Sequence, residues 1–109
     1  MHHPHMVSPA RARELALALP DAVERDHHGR PSFRVQDRIF ATLWSEQRMN
    51  VMLDGEGILT AVAAHPGVCH EVRWGKRLAA AGIDLERVDE RDLAELLADA
   101  WERKAGRPA

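Results

Sequence analysis

The stretch from Asp89 to Ala105 constrains the fold most. Leu93, Leu96, Leu97, Ala100 and Trp101 recur at i, i+3, i+4, i+7 and i+8, which lays one apolar stripe along a helix. Asp89 is placed to cap it, and Asp92 stands at the third helical position as a shorter relative of the capping box. Gly106 and Pro108 follow just past its end. The same stretch carries six acids against three bases, so the face away from the stripe is charged and acidic. A helix of this kind holds only when its stripe is covered, and the rest of the chain must supply the apolar surface that covers it.

That surface reads as a sheet. Ser32 to Val35 alternates, Gln36-Asp37 turns, Ile39 to Trp44 continues as a strand, Ser45-Glu46-Gln47 turns again, and Met49 to Leu53 forms another strand. Ile39 to Trp44 is apolar on both faces, which predicts a central strand whose second face is at least partly covered. Asp21 to Gly29 carries a weaker strand signal around Val23. Val68 to Arg73 alternates, and Trp74-Gly75-Lys76 is a turn. Ala80 to Arg87 closes the sheet, with a short helix over Leu78 to Ala81 as the alternative.

Two further helices are legible. Ser8-Pro9 starts the first, with Ala12, Leu15, Ala16 and Leu19 on one face, so it should span 9–19 and end at Pro20. Asp54 caps the second, which runs to Ala64 with Ile58, Leu59 and Val62 as its stripe. The order α-β-β-β-β-α-β-β-α predicts an α+β two-layer sandwich: an antiparallel sheet with helices on one face. A chain of 109 residues accommodates one such domain, expected over 8–106 behind an N-terminal tail at 1–7.

Composition narrows the class. Hydrophobic residues make up 45% and charged residues 29%, the balance of a soluble globular domain. No apolar run approaches the ~20 residues of a membrane span. No secretory leader pattern opens the chain, and the single cysteine, Cys69, has no partner for an internal disulfide, so a cytoplasmic protein is expected, monomeric and without membrane partner or cofactor. The formal net charge of −2 argues against a strongly basic, non-specific DNA coat protein. Thirteen of the fifteen bases are Arg, the better fork for phosphate, although a high-GC genome enriches Arg without functional cause. The acidity of the last helix predicts that any nucleic-acid surface lies elsewhere. His2, His3 and His5 could chelate Cu(II) or Ni(II), but a metal site needs supporting groups that a tail lacks.

Few residues stand out as chemistry. His27-His28-Gly29-Arg30 reads either as a phosphate contact at a sheet edge or as a tight connection in which Gly29 supplies the unusual backbone angle and Pro31 ends the turn. Arg34, Asn50 and Trp74, if they share a face, offer a guanidinium, an amide and an indole to one partner. In the alternative, Trp74 packs under the last helix and Arg34 pairs with a surface acid. Trp44 and Trp101 are expected as core or core-rim anchors. Cys69 and His70 are adjacent on a strand, point to opposite faces and form no nucleophile–base pair. No metal-binding set and no catalytic signature is present.

The chain is similar to the MmcQ/YjbR family. The likeness is carried by Leu19-Pro20, Val23-Glu24, His28 through Val35, Ile39 through Leu43, Met49 through Leu53, Pro66, Trp74-Gly75-Lys76 and Leu96 through Trp101. It covers Ser8 to about Ala105. The resemblance implies a frataxin-like (CyaY-like) fold, sometimes called a double wing, and members are usually labelled DNA-binding proteins. Two departures thin the positive charge: Met52-Leu53 follows Asn50-Val51 where relatives often carry Lys, and Leu78-Ala79-Ala80-Ala81 replaces a Lys-rich, aromatic segment. A frataxin-like iron role would need an acidic first helix, and here that helix carries Arg11, Arg13 and only Glu14. The resulting expectation is a small non-enzymatic binding domain whose partner is DNA, held weakly through Arg30, Arg34, Asn50, Trp74 and Lys76. The alternative is a protein- or small-ligand-binding module using the open sheet face.

Overall fold

A computed structural model describes residues 6–106. The metal-chelating possibility at His2, His3 and His5 therefore lies outside the described residues. The elements follow the expected order: α1 Pro9–Leu17, β1 Val23–His27, β2 Arg30–Val35, β3 Arg38–Leu43, β4 Arg48–Val51, α2 Gly55–Ala64, β5 Cys69–Trp74, β6 Arg77–Asp84 and α3 Glu90–Lys104. The strands form one six-stranded antiparallel sheet in the order β1-β2-β3-β4-β6-β5. The architecture is an α+β sandwich with β3 and β4 at the centre of the sheet.

Local chemistry explains the elements. Ser8, Asp54 and Asp89 each accept a backbone N–H at the start of a helix, from Arg11, Gly57 and Arg91 respectively. Helix α1 stops at Leu17, two residues earlier than its apolar spacing suggests, because the residue before Pro20 is pushed out of helical geometry. Two hairpins close on two-residue loops whose backbones lie in the left-handed region at both positions, His28-Gly29 and Gln36-Asp37. Pro31 does not end the first turn; it sits inside β2 opposite Asp26. The helix alternative at Leu78 to Ala81 does not form. That segment belongs to β6, which begins at Arg77 and pairs with both β4 and β5. Tertiary pairing on both sides overrides the helical preference of the alanines.

The core lies between the sheet and the three helices. Leu93, Leu96, Leu97 and Ala100 are buried, with Trp101 half-buried at the rim and its indole N–H donating to Pro20 O at 2.9 Å. They meet Phe33, Phe40, Ala41, Met49, Val51, Ala81 and Ile83 from the sheet. Helix α1 is tied to the start of α3 by a two-pronged ion pair, Arg11 Nε to Glu90 Oε1 and Nη2 to Glu90 Oε2, both 2.9 Å. Val7, which the sequence reading places in the tail, is buried, and its N–H donates to Leu85 O at 2.8 Å. No helix among the described residues is long and apolar enough to cross a membrane.

Candidate functional site

Strand alternation gives the sheet two different faces. Phe33, Ala41, Val51 and Ala81 look toward the helices and are fully buried. Between them Ser32, Thr42 and Asn50 look the other way, and these three are the buried polar residues of the described chain. Register sets them in one row across the sheet. Ser32 lies opposite Thr42, Thr42 opposite Asn50, Asn50 opposite Gly82, and Gly82 opposite His70. The missing side chain at Gly82 leaves room for the His70 ring, whose Nε2 would stand only 2.4 Å from a Cβ there.

Over this polar floor opens a cavity of about 780 Å³, which Thr42 and Asn50 line from below. Its walls carry Arg30, Arg38, Arg77, Arg103 and Lys104, with His27 and His28, two exposed indoles and a single carboxylate, Asp54. Asp54 is already engaged as the cap of α2, its Oδ1 accepting the Gly57 N–H at 2.7 Å. Five cations against one acid, in a chain whose net charge is −2, is a strong segregation of charge onto one concave surface. None of the five makes an ion pair among the described residues.

The cations arrive from distant parts of the chain. Arg38 opens β3, Arg77 opens β6, and Arg103 and Lys104 close α3. The Arg103 Nη1 donates to Met52 O at 3.1 Å, which ties the helix end to the exit of β4. Burial first, then the neighbouring Arg103, Arg38 and Arg77 charges, hold the Lys104 ammonium below its usual range. At the other end of the cavity Arg30 stacks over the Trp44 ring, 3.8 Å from its centroid, while its Nε donates to Trp44 O at 2.9 Å. Trp44 is 40% and Trp74 55% exposed.

Three of the five residues expected at the site line this cavity: Arg30, Asn50 and Trp74. Arg34 does not. It leans back over the sheet, Nε donating to Ser32 Oγ at 3.2 Å, beside a β-bulge that breaks the alternation between β2 and β3. Lys76 sits in the exposed β5–β6 turn, outside the lining. The sequence reading missed Arg38, Arg77, Arg103 and Lys104 because their meeting depends on β6 inserting beside β4, which no local spacing encodes. It also took Trp44 for a core or core-rim anchor, whereas the ring stands exposed on the cavity wall. The acids of α3 face elsewhere, but its C-terminal Arg103 and Lys104 complete the cationic wall.

Cys69 points toward the helices and is buried, and burial, with Asp92 adding to it, pushes its thiol up to about 11. His70 lies on the other face, near Arg48, whose Nη1 is 3.2 Å from His70 Nε2. Between α2 and α3 a second groove of about 450 Å³ has the opposite character, walled by Asp54, Glu56, Asp92, Glu95 and Asp99. Among the described residues no group of three or more His, Cys, Asp or Glu is placed to hold a metal ion.

No curated protein and no solved structure matches the chain. The family model for YjbR matches residues 17–103, which takes in every strand, α2 and nearly all of α3, and with them four of the five cations of the cavity wall, Lys104 lying one residue beyond. The chain belongs to the YjbR family.

Proposed function

We propose that this protein is a non-enzymatic binding domain whose open sheet face takes single-stranded nucleic acid, through Arg and Lys contacts to phosphates and stacking on exposed indoles. The observation that carries the reading is the cavity in which five cations without a carboxylate partner among the described residues and two exposed tryptophans surround a polar floor. An exposed sheet with aromatic platforms and a basic rim suits unstacked bases and a phosphate backbone. The raised Cys69 thiol and the separation of Cys69 from His70 support binding rather than nucleophilic chemistry.

Salt-titrated binding to labelled single- and double-stranded DNA and RNA tests the proposal. Single strands should bind more tightly than duplex, with affinity falling steeply as salt rises. The net charge of −2 sets the expected affinity at about micromolar near physiological salt, the weak non-specific regime. The cavity volume also fits a small phosphorylated molecule. No binding of any strand at low salt, together with binding of such a molecule, would replace the nucleic-acid reading with that one.

A further inference from the structure

The floor of the cavity contains a group that phosphate contacts do not explain. Asn50 is only 2% exposed and its Oδ1 has no hydrogen-bond partner. A buried acceptor left unpaired works against folding. Its neighbours across the strands give it no relief: Gly82 on one side has no side chain, and Thr42 on the other makes no bond to it. Asn50 nevertheless lines the cavity, between the walls that carry Trp44 and Trp74.

We propose that Asn50 is a base-reading residue: its amide turns the Oδ1, enclosed in the free protein, toward the cavity, where it accepts an N–H from the edge of a nucleobase held among the two indoles. This rests on the nucleic-acid reading above and deepens it. The chemistry of the donor follows from its surroundings. A cationic donor is repelled by Arg38, Arg77 and Lys104, so the partner is a neutral N–H carried on an anionic molecule. A planar ring bearing N–H groups suits the indole faces, and phosphates suit the rim. The nucleotide unit combines all three. Asparagine is also a side chain suited to base edges, since its amide carries an acceptor and donors in one plane.

The test separates this inference from the reading beneath it. Two labelled probes of equal length are titrated at low salt, a deoxyadenosine octamer and an abasic octamer with the same phosphate backbone. The wild-type protein should bind the base-bearing octamer about tenfold more tightly than the abasic one. Asn50→Ala should narrow that gap severalfold by weakening the base-bearing probe alone, the remaining preference coming from stacking on the indoles. Its melting temperature should be unchanged or raised, because the unpaired acceptor is gone. Rescue by Asn50→Gln, which keeps the amide, should be partial. If both probes bind the wild type and Asn50→Ala equally, the phosphate reading stands and base reading is overturned. If Asn50→Ala loses both affinities together with its stability, Asn50 is structural and the proposal fails. If neither probe binds the wild type, both readings fall.

Discussion

The two faces of one sheet are built to different ends. Toward the helices β2 to β6 contribute apolar groups, and the charges at the edge of that layer are matched: Arg11 with Glu90 and Glu14, Arg13 with Glu24. Toward the open side the same strands contribute Ser32, Thr42 and Asn50, one with an unpaired oxygen, beneath five cations without a carboxylate partner among the described residues. The first arrangement lowers the free energy of the folded chain by removing apolar area from water. The second works against the fold: like-charge repulsion there would be relieved by an anion, and the unsatisfied acceptor by a donor. On the proposed reading, stability and binding are therefore assigned to opposite faces. Substitutions on one should leave the other's property almost untouched.

The sharpest break in that comparison comes from the stripe of α3. Leu97 is fully buried at its centre. Leu97→Ala should cost about 2–5 kcal/mol in denaturant unfolding, the range for truncating a packed leucine. Ligand affinity, measured where the variant remains folded, should stay within about twofold. A loss below half a kcal/mol would mean the helix is docked on some other surface.

The converse experiment removes a charge from the open face. Arg77→Ala should reduce the dependence of binding on salt by about one in slope and weaken binding to all sequences alike. Unfolding free energy should be unchanged or slightly higher, since Arg77 is one of the charges crowding Lys104. Arg34→Ala and Arg91→Ala serve as controls. Arg34 lies outside the cavity lining, and Arg91 is exposed at the start of α3. A full loss of binding in Arg34→Ala would move the interface toward β1.

These two substitutions also mark how far sequence reasoning reaches. Leu97 was legible, because the i, i+3, i+4 stripe of α3 is a one-dimensional signal and burial follows from it directly. Element order was legible for the same reason: caps at Ser8, Asp54 and Asp89 and turns at His28-Gly29 and Gln36-Asp37 are local chemistry. Arg77 was not. It looked like one base beside a turn, and its meaning arises only when β6 joins β4 and brings it to Arg38 and the end of α3. Trp44 misled for a related reason. Aromatic residues in a small domain are usually packed, but its strand ends at Leu43, and the following residue swings out beside Arg30. Asn50 and Trp74 could be suspected from residue type, whereas the unpaired oxygen of Asn50 appears only with the neighbours in place.

The thiol of Cys69 reports the helix-side layer through pH. In the unfolded chain it should ionise near its ordinary value of 9.0, whereas in the native protein it holds its proton to about 11. Above pH 9 the unfolded state therefore binds fewer protons than the native state, and stability falls as pH rises through the window from about 9 to 11. Cys69→Ala should flatten that part of the profile. Alkylation of the native thiol at neutral pH should be slow, and rapid selective labelling would show that the layer opens.

The smallest effect is expected where the open face is already accommodating. An alanine methyl at Gly82 would stand 2.4 Å from His70 Nε2 and 2.6 Å from Cε1, so one of the two must move. The backbone at Gly82 is not in the left-handed region, and Ala suits a strand at least as well as Gly. The obstacle consists only of the far end of an exposed side chain, which can rotate away from the sheet. Gly82→Ala should therefore change stability by less than about 1 kcal/mol, the cost of rotating one exposed side chain aside. Its signature should be spectroscopic. Burial, then the Arg48 charge, holds the His70 imidazole below its usual range, with Asp84 opposing. A ring displaced into water and away from Arg48 should titrate nearer the ordinary value, so the His70 pKa measured by NMR should rise in the variant. An unchanged pKa with a large loss of stability would mean that His70 is locked in place, and that this stretch of the open face is packed as firmly as the side toward the helices.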